Sequence, residues 1–156
     1  MDRIHEPAWV ERSLELLASY ERWLGEPLVP EGTAQQRARS LWEAPFVVVA
    51  HGTQADPVLN YANQAALALW ETDLESLLQM PSRLTAEPMH RDERAEMLRR
   101  TSRDGYIDDY RGVRISTTGR RFLIERATVW NVLDTAGQPA GQAATFSDWS
   151  TLSDSA

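Results

Sequence analysis

Apolar side chains recur every three or four residues from Pro7 to Leu24. At 100° per residue, Trp9, Val10, Leu14, Leu16, Leu17, Tyr20, Trp23 and Leu24 spread over about half of a helix circumference, with Glu11, Glu15 and Arg22 on the rest. The pattern predicts one long helix with Pro7 in its first turn, where a missing N–H does no harm. So wide an apolar arc exceeds what one docking surface needs. Two arrangements satisfy it. The helix is held between its own domain and a second copy, with Trp9, Leu16, Tyr20 and Trp23 as the dimer contacts, or it lies deep across its own sheet.

Gly25 to Gly32, with Pro27 and Pro30, reads as a linker. Thr33 and Gln36 have capping-box spacing and open a short helix to about Glu43, which Pro45 ends. Phe46 to Ala50 is an unbroken apolar run of strand length, and Gly52 to Pro57 turns the chain into a second strand, Val58 to Tyr61. Asn63 caps a helix to Trp70, and Asp73 caps a shorter one to Gln79. His90 to Arg103 is a charged helix with Ala95 and Leu98 on its inner side, stopped by Gly105.

Strand patterning takes over from Tyr106. Tyr106–Ser116, Arg121–Leu133 and Gln142–Trp149 are separated by Thr118-Gly119 and by Gly137 to Gly141, both hairpin signals. Plain alternation puts Phe122, Ile124, Thr128, Trp130 and Val132 on one face and Leu123, Ala127, Val129 and Leu133 on the other. A strand with one wet face alternates more cleanly, so both faces of the sheet are expected to be covered, the second by the N-terminal helix. The order of elements predicts an α+β fold with an antiparallel sheet. The expected division is an N-terminal helical extension at 1–44, a domain at 45–149 and a frayed polar tail at 150–156.

Composition narrows the function. A net charge of −7 disfavours a nucleic-acid partner, and all 16 basic residues are arginine. With no cysteine, disulfides, thiolate metal sites and cysteine nucleophiles are excluded. The first residues lack the apolar run of a signal peptide, and no stretch approaches the ~20 apolar residues of a membrane span. A cytoplasmic protein without a membrane partner is the expectation.

Several sequence words resemble one family in their order and spacing. They are Ala50-His51-Gly52 with Asp56-Pro57, Asn60-Tyr61-Ala62-Asn63, Pro81-Ser82-Arg83-Leu84-Thr85-Ala86-Glu87, Tyr110-Arg111-Gly112-Val113-Arg114-Ile115-Ser116, Gly119-Arg120-Arg121-Phe122, Thr128-Val129-Trp130-Asn131 and Gly141-Gln142-Ala143-Ala144. Together they resemble the MEKHLA family, a PAS-like group, from about residue 10 to 149. The resemblance implies a five-stranded antiparallel sheet with flanking helices. It implies a sensory, regulatory module that binds a small molecule or a signalling protein, or dimerises. The family also occurs at the C-terminus of plant homeodomain–leucine-zipper transcription factors. These 156 residues hold neither of those modules, so DNA binding is not carried over.

PAS relatives hold haem, flavin or metabolites between sheet and helices. The reactive cysteine of the light-oxygen-voltage group would fall at Ser82, so no cysteinyl adduct can form. Ile124 and Glu125 stand where amides would hold a flavin ring, and the cofactor stays open between flavin, haem and none. Haem needs an axial ligand, for which His90 is the candidate. The three histidines lack metal-ligand spacing. His51 is expected to hydrogen-bond in the turn closed by Asp56, with Asn63 as the following cap.

Catalytic signatures are thin: phosphate loops, a nucleophile elbow and a His-Glu-x-x-His pattern are missing, and Asp108 and Asp109 alternate in direction along a strand. An alternative reading is a small enzyme that uses an α+β cavity with His51 or His90 as base. Arg114 and Arg126 could clamp a carboxylate, or pair internally with Glu125 or Asp109. Trp70, Tyr110, Trp130 and Phe146 are the candidate cavity walls, with Arg83, His90, Arg126, Asn131 and Gln142 as candidate polar contacts.

Overall fold

The computed structural model describes residues 3–152. After a 3-10 turn at Arg3–His5, α1 spans Pro7–Leu24 and α2 spans Ala34–Glu43. Then come β1 (Val47–His51), β2 (Leu59–Ala62), α3 (Gln64–Trp70), α4 (Leu74–Leu77) and two 3-10 turns, Ser82–Thr85 and Pro88–His90. Helix α5 is Arg91–Asp104, followed by β3 (Tyr106–Ile115), β4 (Arg121–Leu133), β5 (Pro139–Phe146) and β6 (Asp148–Thr151). The strands form one antiparallel sheet in the order β2-β1-β5-β4-β3, and β6 pairs with β4. The last predicted strand is thus broken in two at Ser147. Ser150 and Thr151, expected in the tail, are sheet residues, and the rest of that tail from Ser153 lies outside the described residues.

The break has a partner on β4. Glu125 pairs with Asp148 and Thr128 with Thr145, while Arg126 between them takes a left-handed φ of 51°. On the β3 side Ile124 pairs with Gly112 and Ala127 with Tyr110, so Glu125 and Arg126 stand against one residue of β3, and side-chain alternation flips across this bulge. Phe122 and Ile124 therefore share a face with Ala127 and Val129, while Trp130 and Val132 face the other way. The single alternation assumed from the sequence fails at this bulge.

Each face has its own core. Helices α3, α4 and α5 cover one, and α1 and α2 cover the other. Helix α1 does lie deep across its own sheet: Trp9 is 6% exposed and Leu16 is fully buried. Trp9 stacks on Tyr61 at 4.6 Å, Tyr20 meets Trp130 edge-on at 5.1 Å, and the Trp23 indole donates to the Asn131 carbonyl at 2.9 Å. All four residues make contacts inside the chain, with Trp9 and Leu16 buried and Tyr20 and Trp23 partly buried. Beyond Trp130, β4 has outrun β3, whose first pair is Tyr106 with Trp130. The Ser19 hydroxyl takes over as partner there, accepting from Leu133 N at 2.8 Å and donating to Leu133 O at 3.3 Å.

Asn63 joins the layers. Its side chain caps α3 by accepting from Ala66 N at 3.1 Å and accepts from Val48 N at 3.0 Å. It donates to Leu41 O at 3.1 Å and Phe46 O at 2.8 Å, and Asn63 itself is fully buried. Helix α5 turns Arg94, Met97 and Thr101 inward, with Leu98 partly buried; the expected inner pair of Ala95 and Leu98 is one position off.

Candidate functional site

A cavity of about 70 Å3 lies between the sheet and helices α3 to α5. Alternation along the strands sets its floor. Val49 and His51 of β1, Gln142, Ala144 and Phe146 of β5, and Ala127 and Val129 of β4 all point into it. Trp70 at the end of α3 and Arg94, Met97 and Leu98 of α5 roof it. Ser82 and Thr85 from the 3-10 turn and Tyr110 and Arg114 of β3 close the side.

The walls are apolar, and the polar groups among them are few and aimed. His51 sits opposite Gln142 in the sheet and is 9% exposed. Its Nδ1 lies 3.0 Å from Gly52 O and so carries the proton that this bond requires, which leaves the Nε2 lone pair buried without a partner. Burial holds the imidazole below its ordinary pKa, and the positive charges of Arg94 and Arg12 add to the effect. The Trp70 indole N–H is also buried without an acceptor.

Arg94 and Arg114 reach the cavity from different elements and are 8% and 6% exposed. Arg94 Nη2 donates to Ser82 Oγ; Arg114 Nη1 donates to Val113 O at 2.9 Å, and its guanidinium stands 5.3 Å from the centre of the Tyr110 ring. Among the described residues neither has a carboxylate at ion-pair distance. Glu125 is taken by Arg111 and Asp109 by Arg100, at 3.2 and 3.4 Å, so the internal pairing considered for Arg114 is not made. Burial first, and then the nearby charge of Arg114, brings Arg94 down to about 10. It stays protonated at neutral pH.

The candidates read from the sequence separate into groups. Trp70, Tyr110, Gln142 and Phe146 line the cavity, and His51, assigned only to a turn, lines it as well. Asp56, in the turn after β1, pairs with exposed Arg83 at 3.2 Å, and His51 bonds to Gly52 of that turn. Arg126 is exposed at the bulge, and His90 sits at the N-terminus of α5; neither lines the cavity. Trp130 belongs to the opposite face, where its indole donates to Leu16 O at 3.2 Å. Asn131 instead ties α5 to the sheet, donating to Thr101 O at 3.0 Å and accepting from Gln142 Nε2 at 3.0 Å. A histidine base in the cavity would have to be His51, whose Nδ1 is oriented by a backbone carbonyl and not by a carboxylate.

Arg94 was missed because an arginine in a helix this charged reads as solvated. Its spacing from Met97, Leu98 and Thr101 places it on their stripe, which is the signal that was there to find.

The cavity does not fit a flavin or a haem. Sites for such groups run to roughly 300 Å3 or more. Ser82, at the reactive-cysteine position, is engaged by Arg94, Glu125 points to solvent, and His90 stands outside the walls. Among the described residues no three His, Asp or Glu side chains gather as a metal site, and no helix is long and apolar enough to cross a membrane.

The MEKHLA domain model matches residues 10–151. Homeobox-leucine zipper protein ATHB-9 of Arabidopsis thaliana is 33% identical over 63% of this chain, and HOX29 of Oryza sativa subsp. japonica is 27% identical over 84% of it. The matched stretches are 12% and 15% of those proteins, so the chain spans only a small part of each. Among solved structures, the PAS domain of a Colwellia psychrerythraea protein superposes with a TM-score of 0.62 at 15% identity, covering 71% of this chain and 92% of that one. The light-state dimer of the fungal blue-light photoreceptor Vivid gives 0.55 at 16% identity, covering 83% and 91%. The sheet and its flanking helices are thus PAS-like in fold.

Proposed function

The chain belongs to the MEKHLA domain family, and from that premise we propose that it is a sensory, regulatory domain whose cavity takes a small molecule. The observation that carries this is the pair of buried, unpartnered polar atoms, His51 Nε2 and Trp70 Nε1, on the walls of a cavity in a PAS-like fold. Buried polar atoms left without partners are rare and costly, and a guest that binds them removes the cost.

The output is a shift in population. Val49, Ala144 and Val129 form a cavity-facing row, while Ala50, Ala143 and Trp130 form the adjacent row beneath α1. Occupancy on one face biases how the helix packs on the other. A homodimer belongs to the same proposal, formed through the outer groove of α1 at Glu11, Leu14, Ala18 and Leu133. Leu14→Arg then halves the mass seen by light scattering, and an unchanged dimer mass rejects that surface. The cytoplasm is the proposed setting, and the net charge of −7 supports a partner other than nucleic acid.

The test is thermal denaturation against a panel of small metabolites, read together with hydrogen exchange in α1. A guest raises the melting temperature and slows or speeds exchange in α1, and cavity-filling Ala127→Leu removes both responses. If no compound acts and Ala127→Leu is more stable than the parent, the cavity is a packing defect and the reading fails.

A further inference from the structure

Two guanidiniums face one small, largely apolar space, and the acids that could have neutralised them are engaged elsewhere. Glu93 accepts from the Tyr110 hydroxyl at 3.3 Å, and Asp56 binds Arg83. Burying like charges together is unfavourable in itself, and an anion between them reverses the sign. Each guanidinium carries five N–H donors, and the protein bonds found for Arg94 and Arg114 leave several of them free for a guest.

Resting on the reading of this cavity as a small-molecule site, we propose that its guest is a short 2-hydroxy carboxylate. The carboxylate lies between Arg94 and Arg114, and the hydroxyl donates to His51 Nε2.

Charge, size and wall chemistry converge on this class. At roughly 10–15 Å3 per water-sized occupant, about 70 Å3 admits about five to seven non-hydrogen atoms. A carboxylate presents two oxygens to the forked donors and turns its carbon end to Val129, Ala127 and Phe146. A phosphate of equal size would press two further oxygens against those apolar walls. The buried Nε2 lone pair needs a donor, which a bare acetate lacks and a hydroxyl supplies. Arg94 stays protonated at neutral pH, so the site keeps a cationic fork there.

The experiment titrates the full chain with sodium glycolate, lactate, acetate and phosphate, with sodium chloride at matched ionic strength and with neutral glycolamide. Calorimetry and melting temperature are the readouts. Glycolate or lactate binds more tightly than acetate, and chloride does nothing. Arg114→Gln and Arg94→Gln each weaken glycolate by at least about tenfold. Both also melt higher than the parent without anion, because an unpaired buried charge is gone. Should one of them fail to fold, Arg114→Lys keeps the charge and loses the fork, and is expected to bind glycolate with intermediate affinity.

Equal responses to chloride and glycolate overturn the proposal, as do variants that bind like the parent or phosphate binding tighter than glycolate. Equal binding of acetate and glycolate removes His51 from it. Response to glycolamide alone overturns the anion assignment and leaves a small-molecule site standing. Silence toward every probe, together with stabilisation by Ala127→Leu, overturns both.

Discussion

Asn63 satisfies four backbone groups at once and has no water to fall back on. Asn63→Ala removes the side-chain partner of Val48 N, Ala66 N, Leu41 O and Phe46 O, which is expected to cost about 3–5 kcal/mol, read as a lower urea midpoint with an unchanged slope. Half of this role was legible: an asparagine before an apolar helix reads as a cap. The other half was not, because Leu41, Phe46 and Val48 come to it only through the sheet. His51 carries a pH signature. Its folded pKa lies below the ordinary 6.5, so below that value the unfolded chain takes up a proton that the folded chain resists. Its contribution to stability is complete above pH 6.5, falls as pH drops, and is lost once the folded imidazole protonates. Denaturation of His51→Gln at pH 7.5 and 5.5 is expected to show a smaller decline than the parent; an equal decline would contradict a buried, neutral imidazole.

At the level of elements, local chemistry was readable wherever the signal lay within one turn. Helix α1 begins at Pro7 and ends at Leu24 as its periodicity predicts, and the Thr33–Gln36 capping box forms. Alternation in β4 was misread because Arg126 adopts a conformation that nothing in its side chain announces. The cavity suffered most from this, since its floor crosses the bulge. Close approach is similarly silent in a sequence. A Cβ on Gly141, at φ 117°, would come within 1.9 Å of His51 O, and one on Gly112 within 2.1 Å of the Tyr110 hydroxyl. Gly141→Ala must push β5 off β1 and is expected to destabilise by about 2–4 kcal/mol. Loss of amide protection at Val49 to His51 before any change at β3 would locate the damage there.

For the whole molecule, the question is what α1 does. With α2 it covers one face of the sheet, and its apolar side is part of that core. The sequence raised this cover and a dimer contact alike, and the cover rests on contacts such as Leu16 with Trp130 that no local pattern encodes. Removing residues up to Leu24 bares Trp130, Val132, Val48 and Tyr61, and the remainder is expected to aggregate or to bind a hydrophobic dye. A truncated chain that stayed in solution with an unchanged melting temperature would show the helix to be dispensable. The fold class was legible because hairpins and caps are local. Arg114 was legible as a carboxylate clamp but its partner Arg94 was not, because their pairing depends on how α5 and β3 come together across the cavity.

The docking of α1 against β4 also bears on how the chain is made. Leu16 and Trp130 are 114 positions apart, so α1 leaves the ribosome long before the strand that shelters it. During that interval its tryptophan- and leucine-rich side has no native shelter and is a target for chaperones. Stalled chains ending near Gly105 should be retained by such factors, and release should come only after Leu133 has cleared the exit tunnel.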